Sequence, residues 1–146
     1  MTGQSPQVLE AHNIHVAFGG IHALKGISLA VEDGEIVTLV GANGAGKTSM
    51  LKAISGLAPF GGSIRFEGQD LRRVPAHRIV GLGIAHVPEG RGVFGNLTVH
   101  ENLRLAIWQR RDRAGIEAEL ERVLGTFPRL RERLRQPAGT LSGGEQ

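Results

Sequence analysis

Residues 41–49, "GANGAGKTS", constrain this chain more than any other stretch. They follow "EIVTLV" at 35–40, a nearly all-apolar run of the kind expected in a strand covered on both faces of a parallel sheet. They lead into "KTSMLKAIS" at 47–55, where Met50, Leu51 and Ile54 recur at helical spacing and Gly56 is placed to end the helix. A glycine-rich loop in that position wraps tightly enough for successive backbone amides to point inward at an anion. The positive end of the following helix faces the same point.

Gly41, Gly46, Lys47 and Thr48 fit the pattern G-x-x-x-x-G-K-[ST], with an added glycine at Gly44. With 22 glycines in the chain, a chance match is the competing reading. The strand-to-helix context argues against it. The spacing therefore predicts a nucleoside triphosphate site built from Gly41, Ala42, Asn43, Gly44, Ala45, Gly46, Lys47, Thr48 and Ser49. Lys47 is expected on the β- and γ-phosphates, and the Thr48 hydroxyl on Mg²⁺.

Composition sets outer limits on what surrounds this loop. The chain has 146 residues, 40% of them hydrophobic and 21% charged, which suits about one ordinary globular domain. Its net charge is only +3, so charge alone does not indicate a polyanion partner. There is no cysteine, which excludes a disulfide framework and thiolate metal sites and fits a reducing compartment. The start "MTGQSPQVLE" has neither the basic nor the apolar segment of a signal peptide, and no run reaches the length of a membrane span. The chain is expected in the cytoplasm.

Before the loop, "VLEAHNIHVAF" at 8–18 and "ISLAV" at 27–31 read as strands, with "EDG" at 32–34 as a turn, predicting an antiparallel start. After it, "SIRF" and "GIAHVP" read as further strands, the second entering the broken loop "EGRGVFGN". From Leu97 the pattern turns helical. Thr98 and Glu101 have capping-box spacing ahead of "VHENLRLAIWQRR", and "GIEAELERVLGTF" reads as a second helix closed by Pro128. The expected organisation is a nucleotide-binding core with a β subdomain over 1–96 and a helical subdomain over 97–146. Nine of the fourteen arginines lie between Arg104 and Arg135, interspersed with acids, which favours a solvated helical face over a nucleic-acid surface. The six histidines have no metal-ligand spacing, so no metal beyond Mg²⁺ is expected.

The chain ends in "LSGGEQ", 141–146, where Ser142 and Glu145 again have capping-box spacing. A helix starting there would present the Ser142 hydroxyl and the Gly143 and Gly144 amides to an anion; by residue chemistry alone, a plain helix start fits equally well.

A P-loop, then a helical region, then LSGGEQ resembles the ATP-binding-cassette ATPases over the whole chain. The resemblance implies an α/β fold, a P-loop NTPase of cassette type with an antiparallel β start, a parallel core sheet and a helical subdomain. It implies ATP and Mg²⁺ as cofactors and a head-to-tail pair with a second ATPase subunit, in which Ser142, Gly143 and Gly144 act in trans on the partner's nucleotide. It places Phe18, "VAFGG", where the family stacks adenine, although read alone Phe18 is a core aromatic. Glu89 stands where most cassettes carry a glutamine that contacts Mg²⁺ and senses the γ-phosphate. "GIAHVPEG" is not read as a Walker B strand, since His86 and Pro88 interrupt it and no aspartate follows.

The run "PEGRGVFGNLTVHENL" with Glu89 looks like the second ATP-binding subunit of branched-chain amino acid importers. That branch implies transmembrane permease partners, an indirect link to a substrate-binding protein, and a peripheral place on the cytoplasmic side of the membrane, with no nucleic acid. The alternatives are a cassette for urea or amides, a soluble cassette protein acting on nucleic acid or ribosomes, or a non-catalytic nucleotide-binding fragment. The family's Walker B aspartate, catalytic glutamate and switch histidine would follow Gln146. An isolated 146-residue polypeptide is accordingly expected to bind nucleotide weakly and not to hydrolyse it.

Overall fold

The computed structural model describes residues 6–90, 92–108 and 110–146. They form two compact units, one reaching His86 and the other running from Val87 to Gln146. Residues 87–90 and 92–96 thus belong to the same unit as the helical segments that follow them.

The first unit is built on an antiparallel sheet. Strands β1 (Gln7–Phe18), β2 (Ile21–Glu32), β3 (Gly61–Phe66) and β4 (Gln69–Asp70) lie in the order β2-β1-β3-β4. Two-residue turns join β1 to β2 and β3 to β4, with left-handed backbone at Gly19 and Gly20 and at Glu67 and Gly68. Such turns match the twist of the strands they connect. β2 is longer than the sequence suggests, because its pairing with β1 extends back to Ile21. β1 bulges at Asn13, where its register shifts against both neighbours.

Helix α1 (Lys47–Ile54) packs on this sheet. Met50, Ala53 and Ile54 are its buried residues, at the i, i+3, i+4 spacing of one face, and they join Ala11, Ile14, Val16, Leu24 and Ile64 in the core. Gly56, with φ +69°, ends the helix as expected: its amide bonds the Ala53 carbonyl and the Leu57 amide bonds that of Lys52, a Schellman motif. The short helix α2 (Ala76–Ile79) adds Ile79, which touches the position of a side chain at Gly56.

Two segments expected as strands, 35–40 in a parallel sheet and 83–88, carry no ladder hydrogen bonds among the described residues. Ile36 and Val40 are 93% and 91% exposed. An apolar run becomes a strand only by pairing, and among the described residues no strand pairs with either segment.

In the second unit, α3 (Val99–Ala106) starts at Thr98 with the predicted capping box. The Thr98 hydroxyl accepts the Glu101 amide at 3.2 Å, and the Glu101 carboxylate accepts the Thr98 amide at 2.7 Å. The Thr98 amide first, and then the Thr98 hydroxyl, which also donates to the carboxylate at 2.7 Å, hold the Glu101 carboxyl below its usual range. Helix α4 (Arg113–Thr126) begins two residues before the expected segment, and Pro128 does not simply close it. Pro128 takes the first position of a further short helix, α5 (Pro128–Glu132), where its missing N–H costs nothing.

Five arginines here pair with acids on the surface: Arg104 with Glu117, Arg110 with Asp112, Arg122 with Glu119, Arg129 with Glu132, and Arg131 with Glu121. Asp112 and Glu119 are held below their usual carboxylate range by hydrogen bonds from Arg110 and Arg122. All are solvent-facing, as in a balanced charged surface. Among the described residues, no helix is long and apolar enough to cross a membrane.

Candidate nucleotide-binding loop and signature turn

The glycine loop rests on β2. Gly46 caps α1 with φ 90° and ψ 5°, and a Cβ there would stand 2.5 Å from both the Ala23 carbonyl oxygen and Leu24 Cδ2. Gly44, with φ +85°, is open on every side within 4 Å. The Ala45 amide bonds the Ala42 carbonyl at 3.1 Å, curling 42–45 into a turn. The result is a backbone cradle at a helix N-terminus, with no acidic residue in the helix's first turn.

Lys47 arches back over this cradle. Its ammonium donates to the Gly41 carbonyl at 2.7 Å and to that of Ala42 at 2.8 Å. An ammonium has three donors, so two bonds fix its position and one direction is left for an incoming anion. Gly41 to Ala45 and Thr48 are exposed, whereas Gly46, Lys47 and Ser49 are half-buried. The cradle offers a phosphate chain a full positive charge, a helix N-terminus and glycine backbone at Gly41, Gly44 and Gly46.

Phe18 ends β1, 46% exposed, on the turn leading into the strand that floors the loop. Glu89 lies in the second unit, exposed, in a turn with Gly90. Ser142, Gly143 and Gly144 belong to that unit too, all exposed.

The signature carries the i+4 backbone bond of a first helical turn, from the Gln146 amide to the Ser142 carbonyl. Residues 142–146 form a turn, with the Glu145 and Gln146 amides both bonded to the Ser142 carbonyl, at 3.0 and 3.2 Å. Half of a capping box is present, since the Ser142 amide donates to Glu145 Oε2 at 3.0 Å. The hydroxyl, however, is a donor: Ser142 Oγ–H reaches the same oxygen at 2.8 Å.

Sequence reasoning passed over the residues that hold this turn in place. Backbone bonds zip 95–99 to 136–139: Val99 amide to Gln136 carbonyl at 3.0 Å, Ala138 amide to Leu97 carbonyl at 2.8 Å, and Gly139 amide to Gly95 carbonyl at 3.0 Å. Gly95 and Gly139 touch, so a Cβ on Gly139 would lie 3.0 Å from the Gly95 oxygen. Asn102 then staples the loop, donating to the Phe94 and Thr98 carbonyls at 3.0 Å and accepting the Phe94 amide at 2.9 Å. An asparagine in the first turn of a helix was the available signal, since its side chain competes for backbone groups. Asn102→Ala is expected to lower stability by about 1–3 kcal/mol, read as a fall in the thermal midpoint. An unchanged midpoint would mean that water replaces the staple at no cost.

A family model described as "ABC transporter" matches residues 24–146. Over 140 residues the chain is 46% identical to the high-affinity branched-chain amino acid transport ATP-binding protein BraG of Pseudomonas aeruginosa, covering 95% of this chain and 60% of that relative. It is 35% identical over 140 residues to the probable branched-chain amino acid transport ATP-binding protein LivF of Archaeoglobus fulgidus, covering 95% and 59%. Among solved structures, one titled as the ATP-binding subunit of an ABC transporter superposes with a TM-score of 0.80 at 31% identity, covering 94% of this chain and 57% of that one. The chain thus spans about 60% of the length of the curated relatives it matches.

Proposed function

The chain belongs to the ABC transporter family, and from that premise we propose that it is an ATP-binding subunit of an importer, coupling ATP binding and hydrolysis to uptake of branched-chain amino acids. The observation that carries the nucleotide part is the glycine cradle with Lys47 held across it by two carbonyls. The substrate part is supported by the names of the relatives BraG and LivF.

In this reading the amides of Gly44 to Thr48 and the Lys47 ammonium bind the phosphates of ATP. Thr48 and Glu89 hold Mg²⁺, which supplies charge neutralisation of the phosphates when bound. Phe18 offers its exposed ring to adenine. Ser142, Gly143 and Gly144 serve nucleotide bound by a second ATPase subunit. The partners are that subunit and transmembrane permease subunits, with a substrate-binding protein acting through them, and the working place is the cytoplasmic face of the membrane. Reconstitution of the full chain with its permease in vesicles tests this: ATP-dependent uptake of labelled leucine, isoleucine or valine is expected. Uptake of urea or amides instead would reassign the substrate.

Glu89 gives a separate prediction. Glu89→Gln keeps a metal-binding oxygen but removes a negative charge beside Mg²⁺ and the phosphates. The Mg²⁺ concentration for half-maximal turnover should shift on the order of tenfold, while ATP affinity in EDTA stays the same. Superimposable Mg²⁺ titrations would exclude a metal role for Glu89.

A further inference from the structure

Glu145, in the signature turn, has no task in the reading above. Its Oε2 gathers three donors: the Ser142 amide at 3.0 Å, the Ser142 hydroxyl at 2.8 Å and an Arg133 guanidinium nitrogen at 3.4 Å. The Glu145 and Arg133 side chains are 22% and 36% exposed, so the pair is partly shielded from water. Ser142, through its hydroxyl first and then its amide, holds the Glu145 carboxyl below the usual range, with Arg133 and Arg129 adding to the effect. An ionised carboxylate only accepts hydrogen bonds. The one hydroxyl proton of Ser142 is therefore committed to Glu145, and the oxygen turns lone pairs to its other surroundings.

A phosphate oxygen is an acceptor too. Ser142 can bind one only by rotating its proton away from Glu145, so carboxylate and phosphate compete for a single donor. When the proton leaves, Glu145 keeps the Ser142 amide and Arg133, and the 3.4 Å guanidinium contact has room to shorten toward the usual charge-assisted distance. Without Arg133 the carboxylate would lose a partner and hold the hydroxyl harder.

We propose that Glu145 is a positioning residue that keeps the Ser142 hydroxyl turned away from anions until a nucleotide phosphate displaces it, and that Arg133 makes the displacement possible by remaining as the carboxylate's partner. The inference rests on the reading that this turn meets nucleotide held by a second subunit. It differs from a plain capping role in one respect: a cap only supports the turn, whereas a competitor opposes the event the turn serves.

ATP-dependent pairing of the full chain, followed by sedimentation with ATP in EDTA so that hydrolysis does not intervene, separates the two. Glu145→Gln keeps an oxygen for the Ser142 amide but removes the charge, and should tighten pairing about three- to tenfold. Arg133→Gln should weaken pairing by a similar factor in the parent, and by less than about twofold once Glu145→Gln is present, because the carboxylate it serves is gone. A cap alone gives the opposite result: Glu145→Gln weakens pairing and lowers the thermal midpoint, and Arg133→Gln acts alike in both backgrounds. Ser142→Ala, which removes the contested proton, guards the underlying reading. If Ser142→Ala leaves pairing unchanged, or ATP induces no pairing, the trans role of the signature falls and the inference with it. If Ser142→Ala weakens pairing but Glu145→Gln fails to tighten it, the inference alone is overturned.

Discussion

Replacing Lys47 with alanine is expected to weaken ATP binding by about one to two orders of magnitude, the loss associated with one or two charge-assisted hydrogen bonds. Lys47 is the cation that the loop itself holds over the cradle, through the carbonyls of Gly41 and Ala42. Those carbonyls belong to exposed residues, so water can replace the ammonium on them when the side chain is removed. Folding should therefore be nearly unaffected while affinity collapses. Titration with a fluorescent ATP analogue, alongside a thermal melt, reads both quantities. Equal affinities for variant and parent would remove the basis for a nucleotide site here, and a large drop in melting temperature would show that Lys47 serves the fold instead.

Gly46→Ala should have the largest effect on stability of any single methyl added to the loop. The position has φ 90°, where an L side chain is strained, and the new Cβ would sit 2.5 Å from a β2 backbone oxygen and from Leu24 Cδ2. Leu24 is a buried core residue, so it has little room to yield. Backbone strain and overpacking together are expected to cost about 2–4 kcal/mol, a large share of a typical domain's stability. Gly44→Ala is the matched comparison: its φ is +85°, but nothing lies within 4 Å, so only the backbone term of about 1–2 kcal/mol applies. Denaturant midpoints for the two variants should differ clearly. If they coincide, the loop does not rest on β2 as described, and the cradle is free to relax.

The contrast between these two glycines shows where the sequence is informative. Both appear as the same letter in "GANGAGKTS", and both positive φ values follow from a tight loop. Only the approach of β2, more than twenty residues earlier, distinguishes them. Similarly, Thr98 and Glu101 were legible as a helix start because their bonds close within three residues. Ser142 and Glu145 have the same spacing, and in both pairs the hydroxyl donates to the acid; they differ in that the Glu101 amide bonds the Thr98 hydroxyl whereas the Glu145 amide bonds the Ser142 carbonyl. Arg133, from beyond the turn, adds a third donor to the Glu145 oxygen that no local pattern announces.

What the sequence determined by itself is the short-range chemistry: the glycine loop, the lysine at its end, helix α1 with Met50 and Ile54 on its buried face, and the capping box of α3; the third residue of that face is Ala53 rather than the expected Leu51, which is exposed. These depend on bonds and periodicities spanning a few residues, and the chain carries them wherever it goes. Tertiary structure alone decided which apolar runs pair. Among the described residues "SIRF" meets a neighbour, β1, and enters the sheet, whereas "EIVTLV" and "GIAHVP" have no strand paired with them. It also decided that Asn102 and the 95–99 to 136–139 zip hold the segment leading into the signature. Strand pairing and side-chain-to-loop bonds join groups far apart in the chain, and whether two such groups meet depends on the path of everything between them rather than on either one's residue type.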